Sequence, residues 1–124
     1  MDSVSGCFLM MKNEVIEKIG GLDETFFMYG EEMDWCMRAK KAGYIVKYCP
    51  VGTITHFKGE SSKKLGVKAT YEFYRAMYIF YNKYNKEEHN LFFNLLVYSG
   101  IVVLGFVNVI KVILMREKRV GSKG

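Results

Sequence analysis

The sequence predicts an α/β fold over residues 1–66, followed by an amphipathic helix and one long apolar helix. Three observations carry the prediction. Short apolar runs in the first 66 residues are punctuated by glycines and alternate between helical and extended patterns, the texture of an α/β layer. Residues 67–84 place Val67, Tyr71, Tyr74, Tyr78 and Tyr81 at alternating spacings of four and three, the period of a helix with one apolar stripe. Residues 91–110, LFFNLLVYSGIVVLGFVNVI, contain no charge.

Taken in order, VSGCFLMM (4–11) reads as a buried strand, and Asn13 is placed to cap a short helix through Ile19 that stops at Gly20-Gly21. LDETFFMYG (22–30) is an irregular aromatic segment. Residues 31–42 read as a second helix, acidic in its first turn, basic at Lys40 and Lys41, and closed by Gly43, as the helix dipole and the C-terminal cap prefer. YIVKYC (44–49) is then a strand ended by Pro50, GTITH (52–56) a second strand, and HFKGESSKK (56–64) a polar, basic loop. Phe73, Met77, Phe80 and Tyr84 broaden the stripe of the 67–84 helix. Arg75, Lys83 and Lys86 lie among its phenol rings, which suits either the headgroup level of a membrane or an ordinary core-facing helix. The uncharged run is long enough, at about 1.5 Å per residue, to cover a hydrocarbon core of roughly 30 Å. Asn94, Tyr98, Gly105 and Asn108 fall on one side of it, a polar or small face of the kind that packs against protein. The chain therefore divides into 1–66, 67–90, a membrane-spanning or membrane-inserted segment 91–115, and a basic tail 116–124.

At 124 residues the chain has room for one compact domain and a small core. Its net charge of +5 favours anionic partners such as phospholipid headgroups or nucleotides. The basic residues are scattered and form no recognition-helix stripe, so no nucleic-acid role is expected. Half the residues are hydrophobic, which excludes intrinsic disorder. Cys7, Cys36 and Cys49 are odd in number and contain no C-x-x-C pair, as expected of reduced thiols in the cytosol. The opening residues lack the basic and apolar regions of a signal peptide, so export is not expected.

Glu31, Glu32 and Asp34 form the densest set of acids. Acids in a first helical turn complement the helix dipole. A carboxylate held beside the aromatic run FFMYG can also have its pKa raised and take a proton from a sugar hydroxyl. Spacing alone leaves both readings open. His56 ends a short strand before a Lys-Gly-Glu-Ser-Ser loop, a setting for a metal ligand or for an exposed imidazole. His89 is assigned no chemistry. No phosphate-binding loop, nucleophile elbow, zinc-protease or dinucleotide signature occurs.

The order G-x-F-L, a short helix ending GG-L-DE, FFMYGEEMDWCMR, AGY, a strand and H-x-x-G-x-S resembles the C-terminal half of the catalytic domain in family-2 glycosyltransferases, particularly their rhamnosyltransferase-like branch. The resemblance runs over residues 4–62, and YEFYRAMYIFYNKYN extends it to about Tyr84. It implies the acceptor part of a GT-A fold and an inverting enzyme that works with a divalent metal, Mn²⁺ or Mg²⁺. A carboxylate would deprotonate the acceptor hydroxyl while the nucleoside diphosphate leaves. The family's Glu-Asp pair falls on Glu31-Glu32, with Glu in place of the usual Asp. This makes Glu32 the candidate general base, with Glu31 beside it and Asp34 as the further acid of the motif. The family's histidine falls on His56, at the metal and diphosphate site, and Gly59 and Ser61 fall on the loop after it. Trp35 and Tyr29 are placed at the acceptor pocket, on the stacking of aromatic rings against sugar faces.

No Asp-x-Asp occurs, because the only aspartates are Asp2, Asp23 and Asp34. The nucleotide-binding half implied by the resemblance is thus not in these residues, and the chain alone is expected to be inactive. The partners implied are a nucleotide-sugar donor, a glycan or lipid-linked acceptor, membrane lipids and a separate nucleotide-binding half. The catalytic part would be membrane-associated on the cytoplasmic side, in cell-surface polysaccharide biosynthesis. The alternative is an inactive membrane-anchored remnant or interaction subunit.

Overall fold

The computed structural model describes residues 1–57 and 59–121, and side chains in that range except at 60, 61 and 116–121. The chain forms two compact units, Met1–Lys58 and Gly59–Gly124.

Glycines set the helix boundaries of the first unit. Helix α1 (Asn13–Ile19) begins after Lys12, one residue earlier than a cap at Asn13 would place it, and no side chain caps it. It ends at Gly20, whose φ of 78° is a conformation that side chains resist and glycine adopts freely. Helix α2 (Glu31–Lys41) starts behind Gly30, at φ 89°, with its acids in the first turn and Arg38, Lys40 and Lys41 in the last. Its exit is a left-handed cap at Gly43, where Gly43 N–H donates to Lys40 O and Tyr44 N–H to Ala39 O.

Polar pins fasten α1 to α2. Trp35 Nε1 donates to Gly20 O at 2.9 Å, and Arg38 donates to the carbonyls of Ile19 and Gly21. Lys18 Nζ reaches Ala42 O at 3.1 Å and lies over the Tyr44 ring. Between these polar contacts sits a small apolar core of Val15, Phe26, Cys36 and Ala39.

The predicted strands do not form. Residues 4–11 hold a 3-10 turn at Gly6–Phe8, residues 44–57 have no regular structure, and no β-ladder occurs among the described residues. A strand exists only when its N–H and C=O groups pair with a neighbour. Here the apolar residues of these segments remain uncovered: Ile45, Tyr48, Val51, Ile54 and Phe57 are all exposed. The chain therefore contains the helices of the predicted layer, without a sheet among its described residues. The two segments nevertheless flank one cavity of about 450 Å³, lined by Val4, Leu9, Met11, Ala39 and Val46 among others.

The second unit is helical. Part of the predicted 56–64 loop is instead helix α3 (Glu60–Leu65). Gly59, at φ 85°, opens it, and its carbonyl accepts from Lys63 N–H at 2.8 Å and from Ser62 Oγ at 3.0 Å. Helix α4 (Val67–Tyr84) occupies the range its periodicity predicts, and α5 (Leu91–Gly121) contains the uncharged run. The two are antiparallel, joined through a 3-10 turn at Lys86–Glu88. Among the described residues α5 alone is long and apolar enough, over Leu91–Met115, to cross a membrane by length and composition.

The polar face predicted on α5 meets α4. Tyr81 donates its hydroxyl to Asn94 Oδ1 at 2.6 Å, Tyr98 to Asn82 Oδ1 at 2.9 Å, and Asn108 Nδ2 donates to Tyr74 Oη at 2.7 Å. Gly105 permits the approach, since a Cβ there would stand 3.3 Å from the Tyr74 ring. Asn94 is buried and also donates to Lys86 O and His89 O, so one amide ties the turn to both helices.

Candidate active site

The acid cluster is positioned by an unusual entry into α2. Tyr29 has φ 68°, and Gly30 follows at 89°, so two successive left-handed residues turn the chain into the helix. Glycine tolerates this, whereas tyrosine pays strain of about 1 kcal/mol or more.

The three acids then diverge. Asp34 is fully buried and accepts a hydrogen bond from Arg38 Nε at 2.8 Å, one helical turn on. Because Arg38 also grips the end of α1, Asp34 orients a clamp between the two helices. Glu31 and Glu32 differ: the Oε2 atom of each is buried and has no hydrogen-bond partner. A buried carboxylate oxygen left without a donor is costly, and such an atom is normally satisfied by protein, water or ligand. Gly6 lies against Glu32, where a Cβ would fall 3.5 Å from Glu32 Cβ and 3.7 Å from its carboxyl carbon. The Gly6–Phe8 turn thus backs the second glutamate.

The other predicted residues are dispersed. Trp35 is half-buried and its indole N–H is spent on Gly20 O, while Tyr29 is half-buried at the strained turn. His56 is exposed and outside regular structure. Gly59 caps α3 in the second unit; Ser61 lies within α3, and its side chain is outside the described residues. Among the described residues no three His, Cys, Asp or Glu side chains gather to hold a metal ion. The described residues therefore do not make a metal site by themselves. Sequence reasoning missed Gly6 and Arg38. The i,i+4 spacing of Asp34 and Arg38 was the visible signal for the second, and the first stands in the G-x-F-L run, which does not reveal its approach to Glu32.

Residues 1–60 match the family described as the N-terminal domain of galactosyltransferase. Over 77 residues the chain is 31% identical to N-acetylglucosaminyl-diphospho-decaprenol L-rhamnosyltransferase of Mycobacterium tuberculosis, covering 62% of this chain and 25% of the relative. Over its N-terminal part the chain is thus similar to glycosyltransferases. A low-salt glycan biosynthesis hexosyltransferase of Haloferax volcanii is 38% identical over 56 residues, 45% of this chain and 18% of the relative. A rhamnosyltransferase of Escherichia coli is 28% identical over 69 residues, 56% of this chain and 26% of the relative. The chain spans about a quarter or less of the length of these glycosyltransferases. No solved structure matches it significantly.

Proposed function

We propose that this chain forms the acceptor side of a glycosyltransferase that moves a sugar, with inversion, from a nucleotide-sugar donor to a glycan or lipid-linked acceptor. The observation that carries the reading is the pair of buried, unpartnered carboxylate oxygens on Glu31 and Glu32, held behind a strained turn in a segment similar to glycosyltransferases. An acceptor hydroxyl supplies the missing donor. Glu32 accepts its proton as the oxygen attacks the anomeric carbon, and the nucleoside diphosphate departs with the bonding electrons. Glu31 lies beside Glu32 in the first turn of α2. Asp34 positions the helix through Arg38, and Trp35 and Tyr29 border the acceptor.

Donor binding falls to a nucleotide-binding half that carries Asp-x-Asp. Beside that half, segments 4–11, 44–49 and 52–56 gain the neighbours they need to pair as strands of a GT-A sheet. A divalent ion, Mn²⁺ or Mg²⁺, would draw its ligands mainly from that half, with His56 as the ligand this chain offers. The apolar helix keeps the catalytic part at the cytoplasmic face of a membrane, in polysaccharide biosynthesis.

The test is complementation. Membranes from cells that co-express this chain with a nucleotide-binding half bearing Asp-x-Asp should transfer labelled sugar from a nucleotide sugar into lipid-extractable or glycan product, whereas either half alone should not. Equal background from the pair and from each half alone contradicts the reading and leaves a membrane-anchored remnant without activity.

A further inference from the structure

We propose that α4 and α5 enter one leaflet of a membrane together as a flat helical hairpin, with α5 among the acyl chains and α4 above it at the headgroups. This inference stands apart from the glycosyl-transfer reading. It begins from the way α4 accompanies the apolar helix. The hydrogen bonds at Asn94, Tyr98 and Asn108 tie α4 along some 14 residues of α5, about 21 Å at 1.5 Å per residue. If α5 stood across the bilayer, α4 would be carried in beside it. Arg75, near the middle of α4 and paired with the buried Glu72 at 3.3 Å, keeps 38% of its side chain exposed and would then face hydrocarbon. Charges at that depth are strongly disfavoured.

Lying flat removes the conflict. Packed helices are separated by about 8–10 Å, close to the difference in depth between headgroups and upper acyl chains. On α5, Leu95, Leu96, Val102, Val103, Phe106 and Leu114 are exposed and meet lipid tails. Its polar edge is bonded to α4, with Asn94 buried and Tyr98 and Asn108 half-buried. On α4, the exposed Tyr71, Phe73 and Tyr78 have the amphipathic rings of an interfacial belt, and Lys68 and Lys83 reach the level of lipid phosphates. Lys111, exposed and about 60° around the helix from Asn108, can extend its ammonium toward the same surface.

The two arrangements differ in where the turn lies. In a flat hairpin Lys86–Glu88 stays on the side from which the protein approached; in a spanning hairpin it crosses. The whole chain carrying Glu88→Cys, an exposed position, is diluted from detergent onto preformed sealed vesicles of phosphatidylcholine and phosphatidylglycerol and floated. It is then treated with a membrane-impermeant maleimide, with the exposed native Cys49 as the outside reference and each site read by peptide mass spectrometry. The proposal predicts that the chain floats with the vesicles and that positions 88 and 49 are both labelled to the same extent before and after permeabilisation. Protection of position 88 until the vesicles are opened overturns it, and so does a chain that fails to float.

Discussion

Met1–Lys58 and Gly59–Gly124 solve the same problem, holding helices with little buried apolar surface, in different ways. In the first, α1 and α2 are fastened by side chains that donate to the carbonyls of Ile19, Gly20, Gly21 and Ala42, while segments that read as strands lie unpaired. In the second, α4 and α5 satisfy their backbones internally and need only a seam of Tyr and Asn side chains between them. A helix closes its hydrogen bonds within itself and a strand does not. One unit thus closes its backbone hydrogen bonds within its helices, and the other leaves segments 4–11 and 44–57 without a strand partner among the described residues.

The sharpest way to break the first unit is Arg38→Ala. It leaves the fully buried Asp34 charge without its guanidinium and frees two carbonyls at the end of α1, at a cost of about 3 kcal/mol or more. Denaturation followed by fluorescence of Trp35, the single tryptophan and itself part of the α1–α2 junction, should show a large fall in midpoint. Hydrogen exchange in α4 and α5 should stay unchanged. The converse variant, Asn94→Ala, removes one acceptor and two donated bonds at the hairpin turn, worth about 1–3 kcal/mol in all. It should raise exchange around residues 81–94 and leave the Trp35 transition where it was. A shift of both signals by either variant would erase the distinction between the units.

The smallest effect belongs to the surface of the first unit. A hydrogen bond from the Lys40 ammonium, with its charge, holds the exposed Asp2 carboxyl below its ordinary pKa of 3.8. A lowered folded pKa stabilises above the unfolded value and is lost as pH falls through the folded one. Asp2→Asn should therefore leave the unfolding midpoint at neutral pH almost unchanged, because exposed pairs contribute little. NMR titration should place the carboxyl midpoint under 3.8.

What the sequence made legible follows the same division. Helices α1, α2, α4 and α5 could be read because glycines at 20, 30 and 43 and a three-four apolar period are local signals. The polar face of α5 could be read for the same reason, and its partner proved to be α4. The strands expected at 44–49, before Pro50, and at 52–56 do not form, because pairing depends on residues distant in sequence or on another chain. Within the candidate site, Glu31 and Glu32 stood out by density and resemblance. The split between them and Asp34 was hidden, since it arises from Arg38 reaching back to α1, and so was Gly6 behind Glu32.

In the proposed reaction Glu32, whose Oε2 is buried without a partner, takes the proton from the acceptor. The most direct test of this role is turnover by Glu32→Gln, which keeps the side chain's size and removes its basicity, in the complemented membrane assay. The account predicts a loss of about 10²–10⁴-fold in kcat, with the KM for the nucleotide sugar and the Trp35 unfolding transition unchanged. Turnover equal to that of the unsubstituted chain would contradict it.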